Sequence, residues 1–309
     1  MIYTVTLNPA IDKTVVIENL RPGKVNRVSS VRTDAGGKGV NVSKCLKALG
    51  MPSVAAMILA GDAGRQLEAM LAQMEIPTLT VWTEGQSRTN LKIIDPTKQE
   101  NTDINEPGPQ VSADDLEKLK SALGEKLLPG DSVVLSGSLP KDVETDLYQK
   151  WTAYFRDLGA SVFLDADGEP MQKGMRAVPY MIKPNDHELA GLLGKENLTA
   201  AQMLSAGREL VNSGIREVVI SLGSDGALFV SAEGAFRAEG LKVEVKSTVG
   251  AGDSMVAAMA YSKEKCLNRE ETIRLAVAMG AASVMQSGSQ SPEKELVERL
   301  AKQVVFQRI

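Results

Sequence analysis

The sequence predicts an α/β fold with a mainly parallel central sheet, helices on both of its faces, and a small second β-sheet. Beyond residue 110, short buried strand patterns alternate regularly with helix patterns, which is typical of strand–helix–strand units. Two segments, about 12–33 and 85–105, interrupt this alternation with polar, extended sequence, and we expect them to form the small sheet. Because no repeat or low-complexity linker divides the chain, residues 1–309 are expected to form a single domain.

In the first hundred residues, strand and helix patterns surround these polar segments. Residues 2–7 are rich in β-branched and apolar side chains and end at Asn8-Pro9, which predicts a first buried strand. The other predicted elements are a helix that Gly50 ends, a strand at 54–59 and a helix at 62–74.

The rest of the chain supplies the regular alternation. Helices are predicted at 112–126, 142–158, 185–193 and 199–213, and strands at 132–135, 161–164, 180–182 and 217–221. An antiparallel pair at 227–231 and 235–239, a strand at 241–246, a buried helix from Met255 to Tyr261, and closing helices at about 269–286 and 291–305 complete the prediction. In a parallel sheet of this kind, ligands bind at the carboxyl ends of the strands.

Composition excludes several classes of function. The chain has 43% hydrophobic and 24% charged residues, as an ordinary globular protein does, and its net charge of −4 gives no indication of a nucleic-acid or membrane partner. The single histidine, His187, excludes a multi-histidine zinc site and argues against Ser-His-Asp chemistry. Cys45 and Cys266 lack CxxC spacing, and neither a signal peptide nor a membrane-spanning apolar run is visible. Reduced thiols and a cytoplasmic location are therefore expected.

The segment Ser247–Ser254 carries a chemical signal, because two glycines and a carboxylate stand between a predicted strand and a buried helix. Gly250 and Gly252 permit a tight turn and a close approach of a ligand to the backbone. The first amides of the following helix have no internal partner, so the turn attracts an anion such as phosphate. A carboxylate at Asp253 makes sense beside a phosphate if it takes a proton from an attacking hydroxyl, as the base in phosphoryl transfer does.

Two other interpretations fit part of this pattern. Asp253 could serve only as a helix cap, since aspartate is common there, and from this turn alone that interpretation stays open. Gly250-x-Gly252 also begins a dinucleotide-binding fingerprint. That fingerprint fails because Met255 stands at the third glycine position and the turn lies late in the chain.

Three further segments lie where extended stretches end. Gly36-Gly37-Lys38-Gly39 opens a helix and suits a hydroxylated or phosphorylated ligand, although the chain has no Gly-Lys-Ser/Thr and therefore no P-loop. Ser136–Pro140 offers two hydroxyls and a glycine, and Ser221–Gly226 could offer backbone amides to nucleotide phosphates. Taken singly, each of these segments is also consistent with an ordinary turn.

The segment Lys183–Glu188 allows two interpretations. Asn185 and Glu188 are three residues apart and lie on one face of the predicted helix. They could form a capping box, with the glutamate reaching back to the helix start. They could also hold Mg²⁺ directly or through water, because this ion prefers oxygen ligands and keeps several waters.

Together, these segments resemble the ribokinase-like, PfkB-type sugar kinases, and the resemblance runs nearly from end to end. It rests on five motifs in order: Thr6–Asp12, Gly36–Asn41, Ser136–Pro140, Lys183–Glu188 and Ser247–Ser254. Within the family, the chain is most similar to the 1-phosphofructokinases, with tagatose-6-phosphate kinases close behind. The resemblance implies a ribokinase-like fold and a kinase that uses ATP and Mg²⁺.

The resemblance also implies a role for individual residues. Asp253 would be the general base, while Gly250, Ala251 and Gly252 would supply amides to the transferring phosphoryl group. The Mg²⁺ ion would be organised by Asn185 and Glu188, through water. The ATP side would be lined by Lys183, Asn185, Ser221, Gly223, Gly226, Thr248, Gly250 and Gly252. The sugar would be bound by Asp12, Gly37, Lys38, Gly39, Asn41 and Asp253, and its existing phosphate would meet Arg27 and Arg88, with Ser138 nearby.

In this family the small sheet would be a lid that closes over the substrate and pairs two subunits, so a homodimer through the lid is expected. The expected reaction converts D-fructose 1-phosphate to D-fructose 1,6-bisphosphate. Tagatose-6-phosphate kinase or 6-phosphofructokinase activity is the alternative in the same class, because one sequence does not fix the geometry that reads the phosphate. A non-catalytic sensor of sugar phosphates or nucleotides is the alternative in another class, although a sensor does not need the base.

Overall fold

The computed structural model describes residues 1–309 without a gap. Its first part contains β1 (Ile2–Thr6), β2 (Ala10–Val16), β3 (Ser30–Gly36), α1 (Lys38–Ala48), β4 (Ser53–Ala60), α2 (Gly61–Gln73), β5 (Thr78–Thr83), β6 (Arg88–Asp95), β7 (Glu100–Asn105) and α3 (Ala113–Gly124). The remainder contains β8 (Ser132–Ser136), α4 (Leu147–Asp157), β9 (Ser161–Asp165), α5 (Gly168–Met175), β10 (Met181–Ile182), α6 (Asp186–Leu192), α7 (Ala200–Asn212), β11 (Glu217–Ser221), β12 (Ala227–Ser231), β13 (Gly234–Ala238), α8 (Ala251–Glu264), α9 (Arg269–Val284), α10 (Lys294–Ala301) and β14 (Phe306–Arg308). None of the helices combines the length and the apolar composition needed to cross a membrane.

The central sheet has ten strands in the order β14-β13-β12-β11-β10-β9-β8-β1-β4-β5. From β11 to β5 every neighbouring pair is parallel, whereas β12, β13 and β14 extend the sheet in antiparallel fashion. The strand order reverses at β1, because the chain first builds outward through β4 and then returns to β1's other side with β8. Such a reversal opens a crevice at the carboxyl ends of the strands, where ligands bind.

Helices cover both faces of this sheet, as predicted. In β8, Val133 and Leu135 belong to a hydrophobic core of 31 buried residues on one face, and Val134 belongs to a core of 28 on the other. A parallel strand that is buried on both faces has a continuous apolar sequence, which is why this strand was visible in the sequence.

The small sheet is also present, in the order β3-β2-β6-β7, and we call it the roof. Asp12 is in register with Asp34 on one side and with Asn90 on the other, so these three side chains share one face. The two segments that were expected to form this sheet, about 12–33 and 85–105, do form it. The first hairpin is wider than predicted, because its strands begin at Ala10 and end at Gly36.

The prediction of a strand at 241–246 is wrong, because this segment has no regular secondary structure. The backbone amides of Lys246 and Ser247 donate to the carbonyl of Val284, at 2.7 and 3.1 Å, and attach the segment to the end of α9. The edge of the central sheet beside β13 is already occupied by β14, so no free edge is left there for another strand.

Other differences concern short or irregular elements. The helix predicted at 142–158 begins only at Leu147, since the preceding residues form turns and Asp142 has a φ of 64°. The last predicted helix, 291–305, is the shorter α10. The prediction omits β5, α5 and β14. The first is a half-buried edge strand, and the other two are only eight and three residues long.

Candidate active site

A cavity of about 480 Å³ lies between the carboxyl ends of the central strands and the roof. Only one of its 23 lining residues, Val249, is hydrophobic. Such a polar cavity suits a small ligand rich in charges and hydroxyls. The predicted site residues that line it are Asp12, Gly37, Lys38, Asn41, Arg88, Lys183, Asn185, Glu188, Ser221, Gly250, Gly252 and Asp253.

Asp253 lies in the first turn of α8. The helix begins directly after Gly250, whose φ of 80° places it in the left-handed region. Gly250 is the N-cap and no side chain caps this helix, so the structure does not use Asp253 as the cap. The residue is only 6% exposed, and Asn41 Nδ2 donates a 2.8 Å hydrogen bond to its Oδ2. The second oxygen, Oδ1, has no hydrogen-bond partner in the protein, which leaves it available to a ligand.

The surroundings of Asp253 raise its pKa to about 6. Burial is the main cause, because it penalises the charged form, and the nearby carboxylate of Asp165 adds to it. The hydrogen bond from Asn41 and the charges of Lys38 and Lys183 act in the opposite direction. A carboxylate with a pKa in this range is deprotonated at neutral pH and still basic enough to accept a proton.

Two lysines and two aspartates form a charged cluster beside Asp253. Asp165, at the end of β9, lies 3.8 Å from Lys38 Nζ and 3.5 Å from Lys183 Nζ. Lys38 Nζ also pairs with Asp167 at 3.0 Å. Burial alone would lower the pKa of Lys38, but the neighbouring carboxylates outweigh burial and raise that pKa above its ordinary value. Lys38 therefore remains charged where an anionic ligand would lie.

The sequence analysis did not identify Asp165 or Asp167. Both directly follow the predicted strand at 161–164, at the carboxyl end where ligand-binding residues collect. That position was the signal that could have found them. Asp165 is 2% exposed and its Oδ1 accepts no hydrogen bond, so the interaction at that oxygen is the ion pair with Lys183 Nζ, at 3.5 Å.

The turn before α8 has glycines where the backbone must stay uncovered. A Cβ atom on Gly252 would lie 3.0 Å from Lys183 Nζ, closer than ordinary van der Waals contact, so glycine lets this ammonium approach the start of the helix. The first amides of α8 lack intrahelical acceptors. Together with the ammonium of Lys183 they give this turn a positive electrostatic potential, at the positive end of the helix dipole.

Asn185 and Glu188 form the capping box that was one of their two interpretations. Glu188 N donates to Asn185 Oδ1 at 2.7 Å, and Asn185 N donates to Glu188 Oε2 at 2.9 Å. The cap leaves Glu188 Oε1 without a hydrogen bond, and burial raises the pKa of this carboxyl. Because both side chains line the cavity, the cap does not exclude a role towards a cation. No group of three or more acidic, histidine or cysteine side chains is arranged to hold a metal ion.

The remaining residues expected on the nucleotide side divide into two groups. Ser221, at the end of β11, lines the cavity. Thr248 and Gly223 are exposed and do not line it, and neither does Ala251. Gly226 has a structural reason to be glycine, since a Cβ there would lie 2.1 Å from the carbonyl oxygen of Ala238.

On the sugar side, Asp12 extends from the roof into the cavity. Asn90 Nδ2 donates to its Oδ1 at 3.1 Å, and burial raises the pKa of Asp12. The sequence analysis did not single out Asn90. This residue belongs to the extended segment predicted at 85–105 and lies on the same face of the roof as Asp12. Gly39 does not line the cavity. A Cβ there would lie 2.5 Å from Thr6 Oγ1, so this glycine allows α1 to pack closely on β1.

A second, smaller cavity of about 220 Å³ adjoins the first and shares Lys38 and Arg88 with it. Ser138 lies here together with Asn8, whose backbone carbonyl accepts a 3.1 Å hydrogen bond from Arg88 Nε. No hydrophobic residue lines this cavity. Arg27, in contrast, is exposed in the loop between β2 and β3 and lines neither cavity.

Comparison with known proteins agrees with this geometry. Residues 5–296 match the family model of the pfkB family carbohydrate kinases. The chain is 39% identical to a 1-phosphofructokinase of Xanthomonas campestris, over 98% of this chain and 97% of that protein, and 34% identical to one of Bacillus subtilis over the full length of both. Its fold matches a crystal structure of phosphofructokinase-2 from Escherichia coli in complex with fructose-6-phosphate. That match has a TM-score of 0.91, 28% identity and 98% coverage of both chains. The predicted fold class is thereby confirmed.

Proposed function

The chain belongs to the pfkB family of carbohydrate kinases, and we propose that it transfers the terminal phosphoryl group of ATP to D-fructose 1-phosphate, giving D-fructose 1,6-bisphosphate. The relatives of 34–39% identity, which are named 1-phosphofructokinases and are matched over their whole length, support this substrate. The observation that carries the chemistry is the buried carboxylate of Asp253, with one oxygen free, beside the amides at the start of α8.

In the proposed reaction, a sugar hydroxyl donates a hydrogen bond to Oδ1 of Asp253. As the hydroxyl oxygen forms its bond to the terminal phosphorus of ATP, the bond between that phosphorus and the bridging oxygen of ADP breaks, and the hydroxyl proton passes to Asp253. Asn41 keeps Oδ2 occupied, so the carboxylate has one free oxygen for this task. The transition state is loose, so the protein contributes mainly positioning and charge stabilisation.

Negative charge on the transferring group would be stabilised by the amides of Gly250, Ala251 and Gly252 and by the ammonium of Lys183. We expect the nucleotide to run from this turn past Ser221 towards Gly223 and Thr248, which are exposed and therefore accessible to it. Gly226 would shape this side of the nucleotide site without touching the nucleotide, because its Cα faces the backbone of Ala238.

We further propose that Mg²⁺ accompanies the nucleotide and is held through water by Asn185 and Glu188. Oxygen donors are the ligands this ion prefers, and the free Oε1 of Glu188 fits a bound water. A site without a cluster of three acids suits an ion that keeps most of its hydration shell. When bound, the ion would neutralise charge on the phosphate oxygens.

The phosphate already on the sugar fits the smaller cavity, because Lys38, Arg88 and Ser138 provide two cations and a hydroxyl there. Fructose 6-phosphate and tagatose 6-phosphate, which carry this phosphate at the other end of the sugar, are the alternatives. Arg27 stays a predicted phosphate contact that requires the β2–β3 loop to move towards the cavity.

An ADP-release assay with D-fructose 1-phosphate, D-fructose 6-phosphate and D-tagatose 6-phosphate tests this proposal. We expect the highest kcat/KM with D-fructose 1-phosphate, and a release of ADP by the Asp253→Asn variant that is slower by roughly two to four orders of magnitude. A higher kcat/KM with either 6-phosphate would transfer the assignment to that sugar. Binding of ATP without ADP release on all three sugar phosphates would contradict the kinase and favour the sensor.

We also propose that the roof is a lid that pairs two copies of the chain. Val31 and Ile104 lie on the face of the roof opposite Asp12 and are 56% and 51% exposed, and Val25, in the loop between β2 and β3, is 83% exposed. A second copy covering this face would bury all three. Sedimentation should show a dimer that Val31→Ser with Ile104→Ser converts to monomer, whereas Leu128→Ser, at a still more exposed site of the main body, leaves it dimeric. A wild-type protein that stays monomeric at micromolar concentration would exclude this arrangement.

A further inference from the structure

Lys44, in the middle of α1, is a buried cation without an ion-pair partner. The residue is 6% exposed. Its ammonium donates to three neutral oxygens: the carbonyl of Ala35 at 2.7 Å, Asn41 Oδ1 at 3.1 Å and Ser289 Oγ at 3.3 Å. Lysines are almost never buried to this degree without a carboxylate partner, because removing the charge from water is costly. The position therefore calls for an explanation beyond packing.

Asn41 connects Lys44 to the proposed base. The amide of Asn41 accepts from Lys44 at Oδ1 and donates from Nδ2 to Asp253 Oδ2 at 2.8 Å. An ammonium can only donate hydrogen bonds and a carboxylate can only accept them. Lys44 therefore fixes which end of the amide faces Asp253, since the flipped amide would set Oδ1 against the carboxylate and Nδ2 against the ammonium.

We propose that Lys44 is a positioning residue for Asp253 that acts through Asn41, an inference that rests on the proposed role of Asp253 as base. The chain of donors from Lys44 through Asn41 keeps Oδ2 of Asp253 occupied and its Oδ1 free for the sugar hydroxyl. Lys44 does not touch the base itself. Its bonds to Ala35 and Ser289 tie this chain to the end of β3 and to the loop after α9, so the amide is held from three sides.

Other charged groups act on the same carboxylate and must be held constant in a test. Asp165 faces Asp253 from β9, Lys38 from α1 and Lys183 from the segment before α6. Around Lys44 lie the carboxylates of Asp12 and Asp34 from the roof, the thiol of Cys45 and the carboxylate of Asp253 itself. None of these groups is altered by a substitution at position 44, so a change in the pH profile reports the loss of Lys44.

The test compares kcat/KM between pH 5 and pH 9 for Lys44→Met, Lys44→Gln and Lys47→Met. Lys44→Met removes both the charge and the donor. We expect its kcat to fall roughly ten- to a hundred-fold, as a misplaced catalytic group does. We expect its acid limb to move up by roughly one pH unit, because a nearby cation and an oriented hydrogen bond are lost. Lys44→Gln can still donate to Asn41 and should retain more of the activity. Lys47, on the same helix but exposed and paired with Glu75, is the control and should resemble wild type.

A double-substitution cycle with Asn41→Ala tests whether the effect passes through the amide. If it does, adding Lys44→Met to Asn41→Ala moves the acid limb by clearly less than Lys44→Met moves it in the wild type, because residues acting in one chain are not additive. The shift that remains is the direct effect of the Lys44 charge on Asp253. An unshifted acid limb in both Lys44 variants would overturn the proposal, and so would full additivity with Asn41→Ala.

If Lys44→Met does not fold, Lys44→Gln and the cycle built on it carry the same decision. Asp253→Asn separates the two levels, since an active Asp253→Asn refutes the base itself, whereas an inactive one with unshifted Lys44 variants refutes only this inference.

Discussion

The floor and the roof of the cavity are built from different kinds of structure. On the floor, Asp253, Asp165 and Lys183 are 6%, 2% and 5% exposed and stand at the ends of strands or helices that belong to the two large cores. In the roof, β7 is exposed along its whole length, and the only buried cluster of its own contains Val15, Ile17 and Ile93.

This difference indicates a division of labour. Groups that handle protons and phosphoryl charge gain from a rigid site with little water, because electrostatic effects are larger there. Asp12, which is proposed to bind the sugar, lies on an element with few buried contacts of its own, and such an element can open and close. Substitutions in the floor should therefore act mainly on kcat, and substitutions in the roof mainly on KM.

The largest expected effect is that of Asp253→Asn in the floor. We expect kcat to fall by roughly two to four orders of magnitude, the usual contribution of a general base, with ATP and sugar binding largely unchanged. Asp62→Asn is the matched control, because Asp62 also lies in the first turn of a helix that follows a strand but has a side chain that is 90% exposed. Turnover near that of wild type in Asp253→Asn would remove this residue from the mechanism.

A smaller loss is expected from Gly252→Ala. The new methyl group would lie 3.0 Å from the buried ammonium of Lys183, so this ammonium would have to move by a few tenths of an ångström away from the start of the helix. We expect kcat to fall by roughly ten- to a hundred-fold, since charge stabilisation of the transferring group depends on this contact. Gly191→Ala, in the helix α6 with open space around its Cα, should have wild-type kinetics. Equal kinetics for both variants would argue against a role of Lys183 at the turn.

The buried carboxylate of Asp253 should also lower the unfolding free energy of the protein when it is charged. The pKa of Asp253 is raised to about 6 in the folded state, above that of an unfolded chain. Its contribution to stability is therefore fully present below the unfolded pKa and is lost as the pH rises through about 6. Asp253→Asn, which mimics the neutral form, should exceed wild type by about 3 kcal/mol in unfolding free energy at pH 8 and by much less at pH 4. Urea unfolding at both pH values would show this, and a difference that does not vary with pH would contradict it.

The smallest of these effects is expected in the roof. Asn90→Ala removes the hydrogen bond to Asp12 and a polar group facing the cavity. We expect KM for the sugar phosphate to rise roughly three- to ten-fold with kcat within a factor of about two, which corresponds to the loss of one hydrogen bond. Thr89→Ala, on the opposite face of β6, is the control. A drop in kcat as large as that of Gly252→Ala would end the distinction between floor and roof.

The contrast between the two regions also explains what the sequence could predict. Strands buried on both faces, such as β8 and β11, have continuous apolar sequences, and the glycine-rich turn before Asp253 follows from local backbone chemistry. Asp165 and Asn90 were missed because their importance arises from the sheet order, which brings distant segments to one cavity. The segment 241–246 has the alternation of a strand, but the competing strand β14 occupies the edge that it would need.

Some features become visible only once the segments have packed together. Asn185 and Glu188 form the capping box and line the cavity at the same time, which their spacing alone could not distinguish. Lys44 was invisible in the sequence, since a lysine in the middle of a helix is ordinarily on the solvent side. Its role follows only from the three oxygens that surround its ammonium.

The most direct measurement of the central claim is the pH dependence of kcat/KM for the wild-type enzyme with its sugar phosphate, compared with the residual activity of Asp253→Asn. If Asp253 accepts the hydroxyl proton, the wild-type profile falls on the acid side with a midpoint near its pKa of about 6, and the variant lacks this limb. A wild-type profile that stays flat down to pH 5, or a variant that keeps the same limb, would show that another group carries the proton.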